Sequence, residues 1–233
     1  MAKKRIALVT GANKGIGYEI ARQLGEKGYH VLVGARKAEA GKQAVASLQK
    51  GRASAEFVEI DVSDRASIQQ AAKAVAAQFD HLDALINNAA IMEDKGNITE
   101  VPDELLLRTL KTNTFGPLHV TQAFLPLLTK SSGATVVNVS SGLGQLTDMA
   151  DMHPAYSISK TSLNAVTRQF AAALRDKGVT VNSVCPGWVK TDMGGANAPR
   201  TVQQGADTVT WLATEAPRDL TGQFLRDRNV IPW

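Results

Sequence analysis

The feature that most restricts what this chain can become is a regular alternation of short β-rich runs with longer helical ones. Residues 5–10, 30–36, 56–61, 84–87, 135–140, 180–184 and 222–225 read as strands. Residues 15–27, 38–49, 64–78, 102–128, 154–177 and 202–214, which fall between them, are of helical length. The helical period is explicit in the second half of 154–177, where Leu163, Val166, Phe170 and Leu174 recur at three- and four-residue steps. Such alternation forces parallel strands joined by right-handed helical crossovers, with helices on both faces of one sheet. The predicted class is α/β, a doubly wound parallel sheet. No Pro/Ser-rich linker, charge block or repeat interrupts the pattern, so residues 1–233 read as one domain, and 44% hydrophobic residues suffice for its core.

Directly after the first strand comes Thr10-Gly11-Ala12-Asn13-Lys14-Gly15-Ile16-Gly17, opening a helix. Glycines there let the backbone turn tightly and approach a pyrophosphate, which then rests on the positive end of the helix. A strand–turn–helix context with a second strand about twenty residues on gives a Rossmann-like dinucleotide site. At the end of that second strand stands Gly34-Ala35-Arg36-Lys37, where a carboxylate would select a free ribose 2′-hydroxyl. A guanidinium instead binds a 2′-phosphate with charge-assisted bonds, so Arg36, with Lys14 as a second cation, selects NADP(H) over NAD(H).

Tyr156 and Lys160 stand four residues apart in a helical segment and share one face. Ser141 follows the strand 135–140, at the carboxyl end where open parallel sheets bind ligands. Free tyrosine, with a pKa near 10, holds its proton too tightly to exchange well at neutrality. A cation at 4 Å contributes roughly 4 kcal/mol at an effective dielectric near 20, so Lys160 is expected to pull the phenol down by up to about three units. Ser141 is expected to hydrogen-bond a substrate oxygen.

These residues resemble the short-chain dehydrogenase/reductase family over essentially the whole length. The matching pieces are TGANKGIG at 10–17, Asp61-Val62, Asn87-Asn88-Ala89, Asn113, Ser140-Ser141, the Tyr156/Lys160 pair and Pro186-Gly187. The resemblance implies that Gly11, Asn13, Lys14, Gly15, Ile16 and Gly17 cradle the cofactor phosphates. It implies that Asp61 and Val62 touch the adenine, and that Asn88 and Ala89 line the cofactor. Asn113 would anchor a water relaying protons to Lys160, and Lys160 would hold the nicotinamide ribose. Pro186, Gly187, Val189 and Thr191 would face the nicotinamide. Ser141, Tyr156, Lys160 and Asn113 would form the catalytic set. TGANKGIG with VLVGAR, and the ending Phe224-Leu-Arg-Asp-Arg-Asn-Val-Ile-Pro-Trp233, resemble the NADP(H)-dependent carbonyl reductases.

Two departures stand out. The usual NNAG reads Asn87-Asn88-Ala89-Ala90, and only fourteen residues separate Ser141 from Tyr156, where monomeric animal carbonyl reductases carry a long insertion. The helices 102–128 and 154–177 are therefore expected to be uncovered and to support a homodimer or homotetramer.

Leu143, Met149, Met152, His153, Trp188 and Met193 fall in the segments expected to line the pocket, which suits a bulky aliphatic or aromatic carbonyl. His153 shows no partner in sequence and reads as a surface or supporting residue. Gly194-Gly195 would let the short segment after Gly187 move as a lid. The implied reaction is hydride transfer from NADPH to an aldehyde or ketone. Oxidation of a secondary alcohol remains an alternative, and a non-catalytic nucleotide sensor a remote one.

Other classes fare worse. The net charge is +4, and the trio Lys3, Lys4 and Arg5 reads as a solvated lead-in to the first strand rather than a nucleic-acid arm, since no aromatic-flanked basic stripe follows. A modest positive excess fits an anionic small ligand. Four scattered histidines and one cysteine lack metal-ligand spacing. That cysteine, Cys185, excludes an internal disulfide and reads as a small core residue. The apolar run at 6–9 is too short for a signal peptide or membrane span, so a cytoplasmic protein is expected.

Overall fold

The central strands Ile6–Thr10, His30–Ala35, Ala84–Asn87, Thr135–Val139 and Thr180–Val184 are buried along their whole length because both faces of a parallel sheet are covered, whereas the edge strand Ser54–Glu59 is partly exposed. The computed structural model describes residues 4–233, so Lys3 of the basic trio lies outside the described residues. It contains β1 (Ile6–Thr10), α1 (Gly15–Glu26), β2 (His30–Ala35), α2 (Ala38–Lys50), β3 (Ser54–Glu59), α3 (Arg65–Gln78) and β4 (Ala84–Asn87). After these come α4 (Asp103–Leu110), α5 (Gly116–Leu128), β5 (Thr135–Val139), α6 (Pro154–Leu174), β6 (Thr180–Val184), α7 (Val202–Thr214), β7 (Phe224–Arg226) and β8 (Asn229–Val230). The sheet order is β3-β2-β1-β4-β5-β6-β7-β8, parallel throughout except for the antiparallel β7–β8 pair.

Alternate residues of each strand feed two cores. Ala7, Val9, Val31 and Val33 pack with Ile20, Leu24, Leu48 and Leu212 on the face of α1, α2 and α7. Leu8, Leu32, Leu85 and Val136 pack with Ile68, Val75, Phe124 and Leu174 on the face of α3, α5 and α6. The strand order reverses between β1 and β4, opening a crevice at their carboxyl ends.

Four sequence expectations shift. The run 102–128 is two helices joined by a wide π turn, Lys111–Phe115. Pro117 explains the break, because it has no N–H for the carbonyl of Asn113 four residues earlier. Strand β3 begins two residues earlier than expected and leaves Asp61 beyond its end. The short β8 at the sheet edge escaped the sequence pattern. Arg5 is also no free lead-in: its Nη2 donates to the Lys27 carbonyl at 2.6 Å and its guanidinium lies 4.4 Å from the Tyr29 ring centre.

A buried polar line crosses the second core. Asn87 Nδ2 donates to Asn138 Oδ1 (2.8 Å) and Thr121 Oγ1 (3.2 Å), Asn138 Nδ2 donates to Thr167 Oγ1 (2.8 Å), and Thr167 and Ser183 share a bond of 2.7 Å. It fixes α5 and α6 against β4, β5 and β6, and so sets the height of everything those helices carry. Asn138→Ala strands a donor on one side and an acceptor on the other, each costing about 1–3 kcal/mol when buried. The variant is expected to lose roughly 2–4 kcal/mol of stability, read by denaturant unfolding with an unchanged slope.

Candidate active site

The glycine turn has the backbone that its sequence requires. Gly11 and Gly15 take φ of 65° and 58°, where a side chain would be strained. A Cβ on Gly17 would stand 2.4 Å from both the Gly11 carbonyl oxygen and Asn88 Nδ2. Lys14 precedes α1 in extended conformation and its side chain does not cap the helix, and the first turn carries no acid. Uncapped N–H groups at a helix start carry partial positive charge, which suits an anion.

Asn88 is bound to the glycine turn itself. Its Nδ2 donates to the carbonyls of Thr10 (2.9 Å) and Gly11 (3.2 Å), while Thr10 Oγ1 accepts from the backbone N–H of Asn88 and Ala89. The Asn88 side chain thus ties β4 to the turn instead of facing outward. Arg36 is exposed just after β2. The Asp61 carboxylate is opposed by burial but held below its ordinary value by the Ser63 hydroxyl and N–H, with help from the charges of Arg36 and Lys111. Buried Val62 lies against Gly116, where a Cβ would come within 2.8 Å of the Val62 carbonyl. Lys14 pairs with Asp192 at 2.6 Å on the surface.

Asn113, fully buried in the π turn, accepts from Ile91 N (2.9 Å) and donates to the Ile91 carbonyl (2.8 Å) and Ser159 Oγ (3.0 Å). Its side chain is occupied in holding the strand-end loop to α6.

Tyr156 (7% exposed) and Lys160 (2% exposed) both point inward from α6. Ser141, at the end of β5, accepts from Leu143 N at 3.2 Å, and its hydroxyl acts to lower the pKa of the Tyr156 phenol. Lys160 Nζ donates to the Val139 carbonyl at 2.8 Å and lies 5.5 Å from the centre of the Tyr156 ring.

The electrostatics correct one expectation. Burial pushes the Tyr156 phenol up, the Ser141 hydroxyl opposes this, and Cys185 and Asp94 push it further up. Lys160 does not draw the phenol down. Burial pulls Lys160 itself to about 7, because an ammonium taken out of water loses its solvation.

The segment after β6 folds over the turn. Gly187 has φ 77°, Val189 is buried and pairs with Arg200, and Thr191 Cγ2 lies 3.4 Å from where a Gly15 Cβ would be. Pro186 is half-buried beside them. Met149, Met152, Trp188 and Met193 are exposed in the segments that leave β5 and β6, and so is Leu146, which sequence reasoning did not single out. Leu143 is half-buried. The chain after β8 folds back on this region: Leu146 N donates to the Trp233 carbonyl, Gln145 Nε2 to the Pro232 carbonyl, and the Trp233 ring stacks on Phe224. His153 has a partner after all, the Asp94 carbonyl at 2.6 Å. Among the described residues no cluster could hold a metal ion, and no helix is long and apolar enough to cross a membrane.

The short chain dehydrogenase family model matches residues 5–201. The chain is 34% identical to (+)-neomenthol dehydrogenase of Arabidopsis thaliana, over 90% of this chain and 91% of that protein. It is 33% identical to carbonyl reductase [NADPH] 1 of Sus scrofa, over 98% and 94%. The NADPH-bound carbonyl reductase from chicken fatty liver superposes with a TM-score of 0.91 at 30% identity, covering 100% of this chain and 96% of that one. The crevice at the strand-order reversal, the glycine turn beneath it and the Ser141–Tyr156–Lys160 cluster beside it agree with these likenesses, and the chain belongs to the short-chain dehydrogenase family.

Proposed function

We propose that this protein reduces an aldehyde or ketone with NADPH, and that Tyr156 gives the proton. The observation that carries the reading is the convergence of a buried phenol, a serine hydroxyl and a buried lysine at the carboxyl ends of β5 and β6. The similarity to proteins named as NADPH carbonyl reductases supports it.

The residues present fit the cofactor. Gly11, Gly15 and Gly17 leave a cradle that side chains would fill. The uncapped start of α1 would take the pyrophosphate, with Asn13, Lys14 and Ile16 around it. Arg36 would take the 2′-phosphate, Asp61, Val62 and Ala89 would bound the adenine side, and Pro186, Gly187, Val189 and Thr191 the nicotinamide side. Bound NADPH supplies the hydride.

The chain's own residues handle the oxygen. Ser141 Oγ would hold the carbonyl oxygen beside the Tyr156 hydroxyl. Burial keeps the phenol protonated at neutral pH, so it is ready to protonate an oxygen that gains negative charge. A phenol held in its acid form favours reduction. The exposed apolar side chains of Leu146, Met149, Met152, Trp188 and Met193 suit a bulky apolar carbonyl. A second reading, oxidation of a secondary alcohol, is favoured by the likeness to a protein named (+)-neomenthol dehydrogenase. A screen of NADPH oxidation over aldehydes, diketones, quinones and bulky ketones decides between them, since a protein that turned over none of these yet oxidised secondary alcohols would take the second reading.

Three variants probe the assignment. Arg36→Ala removes one charge-assisted contact, worth roughly 1.5–3 kcal/mol. NADPH affinity should fall about ten- to hundredfold with NADH affinity nearly unchanged, and equal loss of both would reject Arg36 as the selector. Tyr156→Phe should cut kcat by roughly 10²–10⁴-fold with NADPH affinity kept; a variant retaining a tenth of wild-type turnover removes Tyr156 from the role. Lys160→Met tests the buried amine through stability. With the folded pKa near 7 and the unfolded one at the ordinary lysine value, the folded state holds fewer protons between the two. Wild-type stability should therefore rise relative to Lys160→Met as pH increases from about 7, by up to about 1.4 kcal/mol per pH unit. A pH-independent difference would mean that the folded lysine stays charged.

A further inference from the structure

We propose that Asp94, which stands outside the catalytic set, is a positioning residue that caps the helix carrying Tyr156 and Lys160, with a buried carboxylate at the backbone N–H of Tyr156 itself. The proposal rests on the reductase reading for its kinetic part and on geometry for the cap.

Helix α6 lacks a cap of its own. It starts at Pro154, which has no N–H, and the preceding His153 adopts a left-handed conformation (φ 49°, ψ 59°) without capping the helix. The first free N–H groups of such a helix need an acceptor. Asp94 supplies it from the loop after β4: its Oδ2 accepts from Ala155 N at 2.8 Å and from Tyr156 N at 3.3 Å, across 61 and 62 residues of sequence. The His153 ring, through Nδ1, donates to the Asp94 backbone carbonyl at 2.6 Å, which braces the left-handed residue. The carboxylate also sits at the positive end of a 21-residue helix, where negative charge is stabilised. Tyr156 is thus held at its own backbone N–H.

The same loop reaches the rest of the site. Asn88 grips the glycine turn, Ile91 grips Asn113, and Asp94 grips the start of α6. Residues 88–94 are therefore a single strap joining the cofactor crevice, the π turn and the proton donor.

Capping alone does not explain an acid here. Asp94 is 3% exposed, and its Oδ1 has no hydrogen-bond partner, a costly state for a carboxylate oxygen. A capping Asn or Ser would serve the helix without a buried charge. The charge has a second effect, because it helps keep the proton on Tyr156. The groups that face the phenol are Ser141 from the end of β5, Cys185 from the end of β6, Lys160 from α6 itself and Asp94, with His153 bound to Asp94. Asp94 is the carboxylate among them.

Asp94→Asn and Asp94→Ala separate the two roles. Four measurements apply: kcat with the best carbonyl from the screen, NADPH affinity by nicotinamide fluorescence, the pH profile of kcat, and hydrogen exchange of the Ala155 and Tyr156 amides. Asp94→Ala should lower kcat roughly ten- to hundredfold, as expected for a misplaced reacting group. NADPH affinity should stay within about twofold, and the two amides should exchange roughly five- to tenfold faster. Asp94→Asn keeps an acceptor, so it should recover most of kcat and of the amide protection. Its alkaline limb, where the phenol loses its proton, should move to lower pH, because a charge that opposed ionisation is gone.

An Asp94→Ala protein with wild-type kcat and protection overturns the proposal, as does one that loses NADPH affinity in step with kcat. An Asp94→Asn profile superposing on wild type overturns the electrostatic half. If Asp94→Ala does not fold, the profile and exchange of Asp94→Asn still decide. A wild type that binds NADPH but reduces no carbonyl sinks the reductase reading instead, and the exchange data judge the cap independently.

Discussion

The paired bonds from Asn88 Nδ2 to the carbonyls of Thr10 and Gly11 sit where the strand order reverses. The helices that follow β1 and β4 leave to opposite faces there, and the parallel ladder between the two strands runs from Ala7–Ala84 to Val9–Ile86, just short of these bonds. The Asn88 amide ties the strand ends together, and Thr10 Oγ1 ties them again by accepting from Asn88 and Ala89. The positive φ at Gly11 and the absent Cβ at Gly17 are what let the amide come so close. The open glycine turn is thereby part of a joint between β1 and β4. From this joint the chain runs directly to Ile91 and Asp94, so the shape of the crevice and the placement of the proton donor share one support.

The polar line from Asn87 through Asn138 and Thr167 to Ser183 is the complementary restraint from within. Apolar packing alone lets a helix slide along a sheet at small cost, because dispersion contacts are many and individually weak. Directional bonds in a dry interior do not permit that, since each displacement strands a donor or an acceptor. Here they hold α5 and α6 to β4, β5 and β6, and α6 carries both Tyr156 and Lys160. Precision at the site is therefore provided by a network that meets α6 at Thr167, about two helical turns beyond Lys160.

What the sequence made legible followed from period and from turn chemistry. The alternation of β-rich and helical runs, the glycine turn and the four-residue spacing of Tyr156 and Lys160 are local patterns, and the folded chain keeps them. What stayed hidden depends on residues far apart in the chain. The run 102–128 has unbroken helical character, and the break at Lys111–Phe115 is signalled only by Pro117. Asp94 sits in an unpatterned loop, and nothing local says that it ends up against Ala155 and Tyr156. The two-residue β8 and the return of Trp233 onto Leu146 are likewise too short to carry a period. The bonds from the Asn88 amide to Thr10 and Gly11 also join residues 78 and 77 positions apart, which no local pattern announces.

The largest misreading was electrostatic and has a general cause. Spacing on a helix says that a lysine and a tyrosine share a face, and Coulomb's law then says that the cation draws the phenol down. Both steps neglect the cost of placing the cation there. In this protein Lys160 and Tyr156 are both removed from water, and burial moves them in opposite directions, the amine down to about 7 and the phenol up. Each shift favours the uncharged form, so near neutrality the phenol keeps its proton and the amine holds its own far less firmly than a lysine in water. Asp94 and Cys185 add to the retention on the phenol, and the Ser141 hydroxyl opposes it. A site in that state has an acid with its proton in place and a neighbouring amine whose charge is easily changed by whatever binds beside it. An added negative group near Lys160 would favour its ammonium form, and only then would the cation act on the phenol with the strength that helix spacing alone suggests.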